Sequence, residues 1–143
     1  MLLIFLFLSI SGSVSGQADS LLKRGDYFLE QPLYDSAYAS YRLALENFRL
    51  NKNRAGMIDC LNRMATIDNI FTRTSQAIGA LQECSSLFDG LSGMEIQLAV
   101  YEEQLGRAYE DLGDIEESGK HTRKALKLRL EIYGVNDART AYA

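Results

Sequence analysis

Small residues return in step along this chain. Ala37, Ala77 and Ser118 are separated by 40 and then 41 residues, and Ala44, Cys84 and Ala125 follow each of them seven residues later. Gly25, Ala65 and Gly106 keep the same two spacings. A small side chain is needed where two helices cross most closely, because a longer one would push the axes apart. Three such positions recurring together predict an internal repeat, in which similar helical hairpins stack side by side. The chain has 143 residues, room for one ordinary domain and not two.

Apolar residues run at helical spacing nearly throughout. One stripe spans Leu21 to Leu29 and a second, after Gln31-Pro32, spans Tyr34 to Phe48. A third runs from Met57 to Ile67, a fourth from Ala77 to Phe88, a fifth from Met94 to Leu112 and a sixth from Ile115 to Leu130. The reading is all-α: six helices in three antiparallel pairs with short connections. Composition agrees, with one Pro, no Trp, 47% apolar and 24% charged residues, a globular balance that excludes a disordered chain. A net charge of −4 argues against nucleic acid as partner, since phosphate-backbone binding needs a dominant cationic face.

The first ten residues are apolar except for Ser9. That run is too short to span a bilayer, which takes about 20 such residues, and has the length of a signal-peptide core. Val14 and Gly16 offer small residues before Gln17, so residues 1–16 are expected to be an export signal cleaved after Gly16. The alternative is an uncleaved, membrane-associated segment, because no Lys or Arg precedes the apolar run. No stable membrane span is expected in the mature chain. Cys60 and Cys84 would either pair in an oxidising compartment or serve as buried small residues on helices.

Leu105-Gly106-Arg107-Ala108-Tyr109 to Leu112-Gly113-Asp114-Ile115, then Ser118 and Ala125-Leu126, closely resembles the tetratricopeptide repeat. Gly25, Phe28, Tyr34, Ala37, Tyr41, Ala44 and Leu45 match it again. The second copy departs from it: Asp68 stands where an aromatic is usual, Thr72-Arg73 replaces Gly-Asp, and Phe71 is expected to fill the gap. The spacing resembles the extended repeats of kinesin light chains and bacterial regulators. The resemblance implies a right-handed superhelical solenoid over residues 17–143, with repeats at about 18–50, 53–90 and 93–133. Residues 134–143 would begin an incomplete fourth. The stripe containing Ala125, Leu128 and Ile132 would then be partly uncovered, leaving either a longer protein or self-association to close that end.

No catalytic constellation accompanies the repeats, so no enzyme, cofactor or metal is expected. His121, the only histidine, stands among Lys120, Arg123, Lys124 and Lys127 and reads as a solvated surface residue without a second metal ligand. Glu102-Glu103, Glu110-Asp111 and Glu116-Glu117 point about 100° apart on their helices and read as a solvated face. The bases from Lys120 to Arg129 follow Asp114, Glu116 and Glu117, an order that suits the helix dipole.

The resemblance implies a concave groove lined by the first helix of each pair. Carried over, the groove would take Leu22, Lys23, Asp26 and Leu29 from the first repeat. It would take Asp59, Asn62, Arg63 and Thr66 from the second, and Glu103, Arg107 and Glu110 from the third. The interleaved acids argue against a clamp for a terminal carboxylate. The function implied is an exported protein-interaction module or scaffold whose partner is a protein or peptide. The alternative is the N-terminal sensory or regulatory part of a longer bacterial signalling protein, such as a sensor kinase, a transcriptional regulator or a CHAT-domain protein.

Overall fold

The computed structural model describes the backbone of residues 4–134 and the side chains of residues 16–134. Side chains of the apolar run read as an export signal lie outside that range, as does the expected fourth repeat beyond Gly134. Six helices follow one another: α1 (Ile4–Glu30), α2 (Tyr34–Leu50), α3 (Arg54–Ile70), α4 (Thr74–Leu87), α5 (Glu95–Asp111) and α6 (Ile115–Tyr133). No strand occurs among the described residues, and no helix there is long and apolar enough to cross a membrane. The protein is all-α.

Consecutive helices pair as hairpins, α1 with α2, α3 with α4 and α5 with α6, and α3 packs on α2 as α5 packs on α3 and α4. The turn inside each hairpin is the same. Leu33, Arg73 and Asp114 donate their amides to the carbonyls of Phe28, Asp68 and Tyr109 at 2.9, 2.8 and 2.9 Å. Thr72 and Gly113 each sit one residue earlier with φ of 53° and 78°. Glycine takes that left-handed conformation freely, whereas a β-branched residue is strained in it. Helix starts are capped where the sequence supplies an oxygen: Asn53 accepts from the Gly56 amide and Asp114 from the Glu117 amide, each satisfying an orphan donor.

The small residues meet at the crossings. Ala44, Cys84 and Ala125 are all fully buried, as are Ala37 and Ala77, while Ser118 is half-buried. A Cβ added at Gly25 would overlap the Tyr41 ring, and one at Gly106 would lie 2.8 Å from Thr122 Oγ1. Tyr41 and Thr122 hold equivalent positions in the hairpins, so first and second helices cross at the same register. One cluster built on Tyr41, Phe48, Ile58 and Leu61 joins the first two hairpins. A second, of Ala65, Ala77, Leu81 and Leu105, joins the last two. Full burial of one such large apolar side chain contributes about 1.5–3 kcal/mol, so stability is spread along the chain of hairpins.

Cys60 and Cys84 are buried and free. Burial pushes both thiols up to about 12, which makes them poor nucleophiles at neutral pH. They act as the small apolar residues of their helices, and Cys84 Sγ rests 3.8 Å from the side-chain oxygen of Asn62.

Candidate interaction surface

The first helices α1, α3 and α5 hold all eleven residues expected to line a groove. Several of their side chains bond one another, while Lys23, Arg107 and Glu110 are exposed. Arg63 reaches from α3 to Asp26 on α1 with two nitrogens, Nε at 2.5 Å and Nη2 at 3.2 Å. It also pairs with Asp59 one turn back at 3.3 Å. The Tyr41 hydroxyl donates to the same Asp26 at 2.9 Å. Burial, then this hydrogen bond, push the tyrosine's pKa well up. These bonds tie α1, α2 and α3 together, with Arg63 held by two acids.

Between α3 and α5 the bonds are shorter in reach. Asn62, buried, donates to the Gln97 carbonyl at 2.9 Å, and Asn69 donates to the Gln104 carbonyl at 2.9 Å and to its side-chain oxygen at 3.0 Å. The seven-residue step from Asn62 to Asn69 keeps both on one face of α3. Thr66 turns back onto the Asn62 carbonyl. Leu22 and Leu29 are half-buried against the core, and Lys23 is exposed. On α5, Glu103 pairs with Arg107 at 3.0 Å and with Arg129 of α6, while Glu110 is exposed.

Comparison with known proteins adds no relative. No protein-family model matches the chain, and no curated protein or solved structure matches it.

The first-helix face carries an open depression of about 230 Å³ between α3 and α5. Asp59, Asn62 and Arg63 form one wall, and Ile96, Gln97 and Val100 form the other. Ile96 is 51% exposed, so the depression joins an apolar shoulder to a charged floor. The α5 wall is a feature that sequence reasoning missed. Its signal was an isoleucine in the first turn of α5, two positions from the Met94 and Leu98 of the fifth stripe.

Two sequence expectations fail on the α5–α6 side. His121 is not a solvated residue: its side chain is 13% exposed, bonds Glu102 at 2.6 Å and stacks on the Tyr109 ring at 5.4 Å. Glu102 and Glu103 are not a solvated face either, with side chains 11% and 16% exposed. The reason is common to both. Helix α5 packs α6 on the face that carries these acids, and α6 answers with His121, Lys124 and Arg129. Glu110-Asp111 and Glu116 are exposed, as expected. Phe71 does not fill the place of the missing aromatic either. It is 48% exposed, edge-on to Tyr34 at 5.2 Å, and the place itself is taken by buried Asp68 paired with Arg73 at 2.7 Å.

Proposed function

We propose that this protein is an exported protein-interaction module, a right-handed solenoid of three extended tetratricopeptide-like hairpins without catalysis of its own. The observation that supports it most is the repeated hairpin register, with Gly25 against Tyr41 and Gly106 against Thr122. Identical turns at Phe28–Leu33, Asp68–Arg73 and Tyr109–Asp114 add to it. Hairpins stacked in one register offer their first helices as a continuous face, a common platform for extended peptides or a partner helix.

The depression between α3 and α5 is the place on that face where a partner side chain would seat. Ile96 and Val100 offer apolar contact, and Asp59 and Arg63 offer charge of both signs. Arg63 is already held by two acids, so specificity would come from shape and apolar fit more than from a free cation. Export rests on the apolar run before Gln17.

A cross-linking pull-down tests the reading with two exposed positions that carry no core packing. Ile96→Arg and Arg107→Glu should each reduce recovery of the wild-type chain's cross-linked partner about tenfold, with helicity by circular dichroism unchanged. Undiminished recovery with both variants would remove the groove from the proposal.

A further inference from the structure

We infer that the cleft between the first and second hairpins, on the α2–α4 side, binds a peptide through an acidic side chain with an apolar residue beside it. This site lies away from the α3–α5 depression and stands whether or not that depression binds anything. The cleft is a cavity of about 350 Å³ lined by Asp35, Tyr38, Arg42, Asp68, Arg73 and Gln76. A second depression of about 360 Å³ adjoins it, shares Asp35 and Arg73, and is walled by Pro32, Leu33, Tyr34 and Phe71. One half carries hydrogen-bonding groups with two arginines and two aspartates, of which Asp68 is already paired with Arg73. The other half is apolar and aromatic.

The repeats themselves supply the comparison that singles this place out. Where the first and third hairpins carry Phe28 and Tyr109, the second carries Asp68, and Arg73 replaces Leu33 and Asp114. A buried carboxylate, even paired with a partly exposed arginine, costs desolvation that an aromatic would not. Rules broken at one repeat and kept at its neighbours mark a place shaped by something other than stability.

The donors are arranged for an anion. Asp68 is satisfied from both sides, by Arg73 Nε at 2.7 Å and by the Tyr38 hydroxyl at 3.2 Å. Arg73 spends only that nitrogen on Asp68, and its guanidinium lies 5.4 Å from the Tyr38 ring centre and 5.1 Å from that of Phe71. Its two terminal nitrogens are thus held in a fixed plane with no hydrogen bond among the described residues. Arg42 lines the same cleft, is exposed, and has no hydrogen bond or ion pair among the described residues. Arg42 and Arg73 line the one cleft together with Tyr38, Asp35 and Asp68. Two guanidinium groups on one cleft, the Arg73 group with its terminal nitrogens unbonded among the described residues, suit a carboxylate. The cleft is an open trough at the surface, and it continues into the aromatic half. A small free ligand would be mostly enclosed by its pocket, whereas a chain can run along a trough.

Titration of the blocked peptide acetyl-Gly-Glu-Phe-Gly-amide into the 15N-labelled full chain tests the inference by nuclear magnetic resonance. Saturable shifts are expected at the amides of residues 35–42 and 68–76. The Gln-Phe counterpart should bind about tenfold more weakly, and Arg42→Gln should lose about tenfold toward the Glu-Phe peptide, with circular dichroism unchanged. Asp35→Asn, which removes the cleft's unpaired acid, should tighten binding about threefold. Equal binding of the two peptides, or an unaltered Arg42→Gln titration, would overturn the site. N-acetylphenylalanine binding as tightly as the Glu-Phe peptide would overturn the assignment to a peptide.

Discussion

The first and second hairpins share a backbone plan and differ in what fills it. At three positions forty residues apart, α1 carries Leu22, Phe28 and Leu29, and α3 carries Asn62, Asp68 and Asn69. The apolar set belongs to the first hairpin, which packs on the second. The polar set belongs to the middle hairpin, and each of its members finds a partner there. Asn62 and Asn69 bond α5, and Asp68 takes a bond from Tyr38 of the first hairpin and another from Arg73 of its own. Apolar contact tolerates sliding, while a hydrogen bond fixes a register. The middle hairpin therefore sets the position of both neighbours. The difference also explains the spacing of the first helices. Short asparagines hold α5 close along α3, whereas the long Arg63–Asp26 bridge spans a wider gap to α1.

The strongest way to break this contrast is to strand Asp68. Arg73→Ala should destabilise the chain by about 3 kcal/mol in chemical denaturation, the low end for a broken buried pair, because Arg73 is partly exposed. Loss of under about 0.5 kcal/mol would mean that water already satisfies Asp68. A reciprocal exchange sharpens the comparison. Asn62→Leu should cost about 2 kcal/mol, through a lost hydrogen bond that leaves the Gln97 carbonyl without its donor. Leu22→Asn, half-buried, should cost about 1 kcal/mol. Equal costs would show that the two seams are equivalent after all. The smallest effect has the opposite sign. Thr72→Gly should stabilise by about 0.5–1 kcal/mol, read as a rise in thermal midpoint, since it relieves a left-handed φ of 53° that Gly113 adopts freely at the equivalent turn.

Helix number and pairing were legible because they depend on short-range pattern. The stripes from Leu21 to Leu130 place each helix, and the positions of Gly25, Ala65 and Gly106 fix where it crosses its partner. The acids Asp114, Glu116 and Glu117 likewise marked the start of α6. What the pattern does not carry is which neighbour covers a helix's other faces. Glu102 and His121 look solvated on their own helices, and only the approach of α6 to α5 turns them into a pair. The groove residues show the same limit. A helical wheel pairs Asp59 with Arg63 one turn on, yet the bonding of Arg63 to Asp26 follows from the distance between α1 and α3. The α2–α4 cleft left two traces in the sequence, Asp68 where the other hairpins carry Phe28 and Tyr109, and Arg73 where they carry Leu33 and Asp114.

Arg54 opens α3 and closes onto the end of α4, donating to the carbonyl of Leu87 at 2.6 Å and to that of Asp89. The middle hairpin is thereby buttoned shut at its base before the chain moves on. Helix α4 stops early there, and Gly90 and Gly93 take left-handed turns in the connector that follows. This is where the forty-residue period gains its one extra residue. Behind such a fastening, the connector can lengthen or shorten over evolutionary time while the α3–α4 pair it leaves keeps its shape.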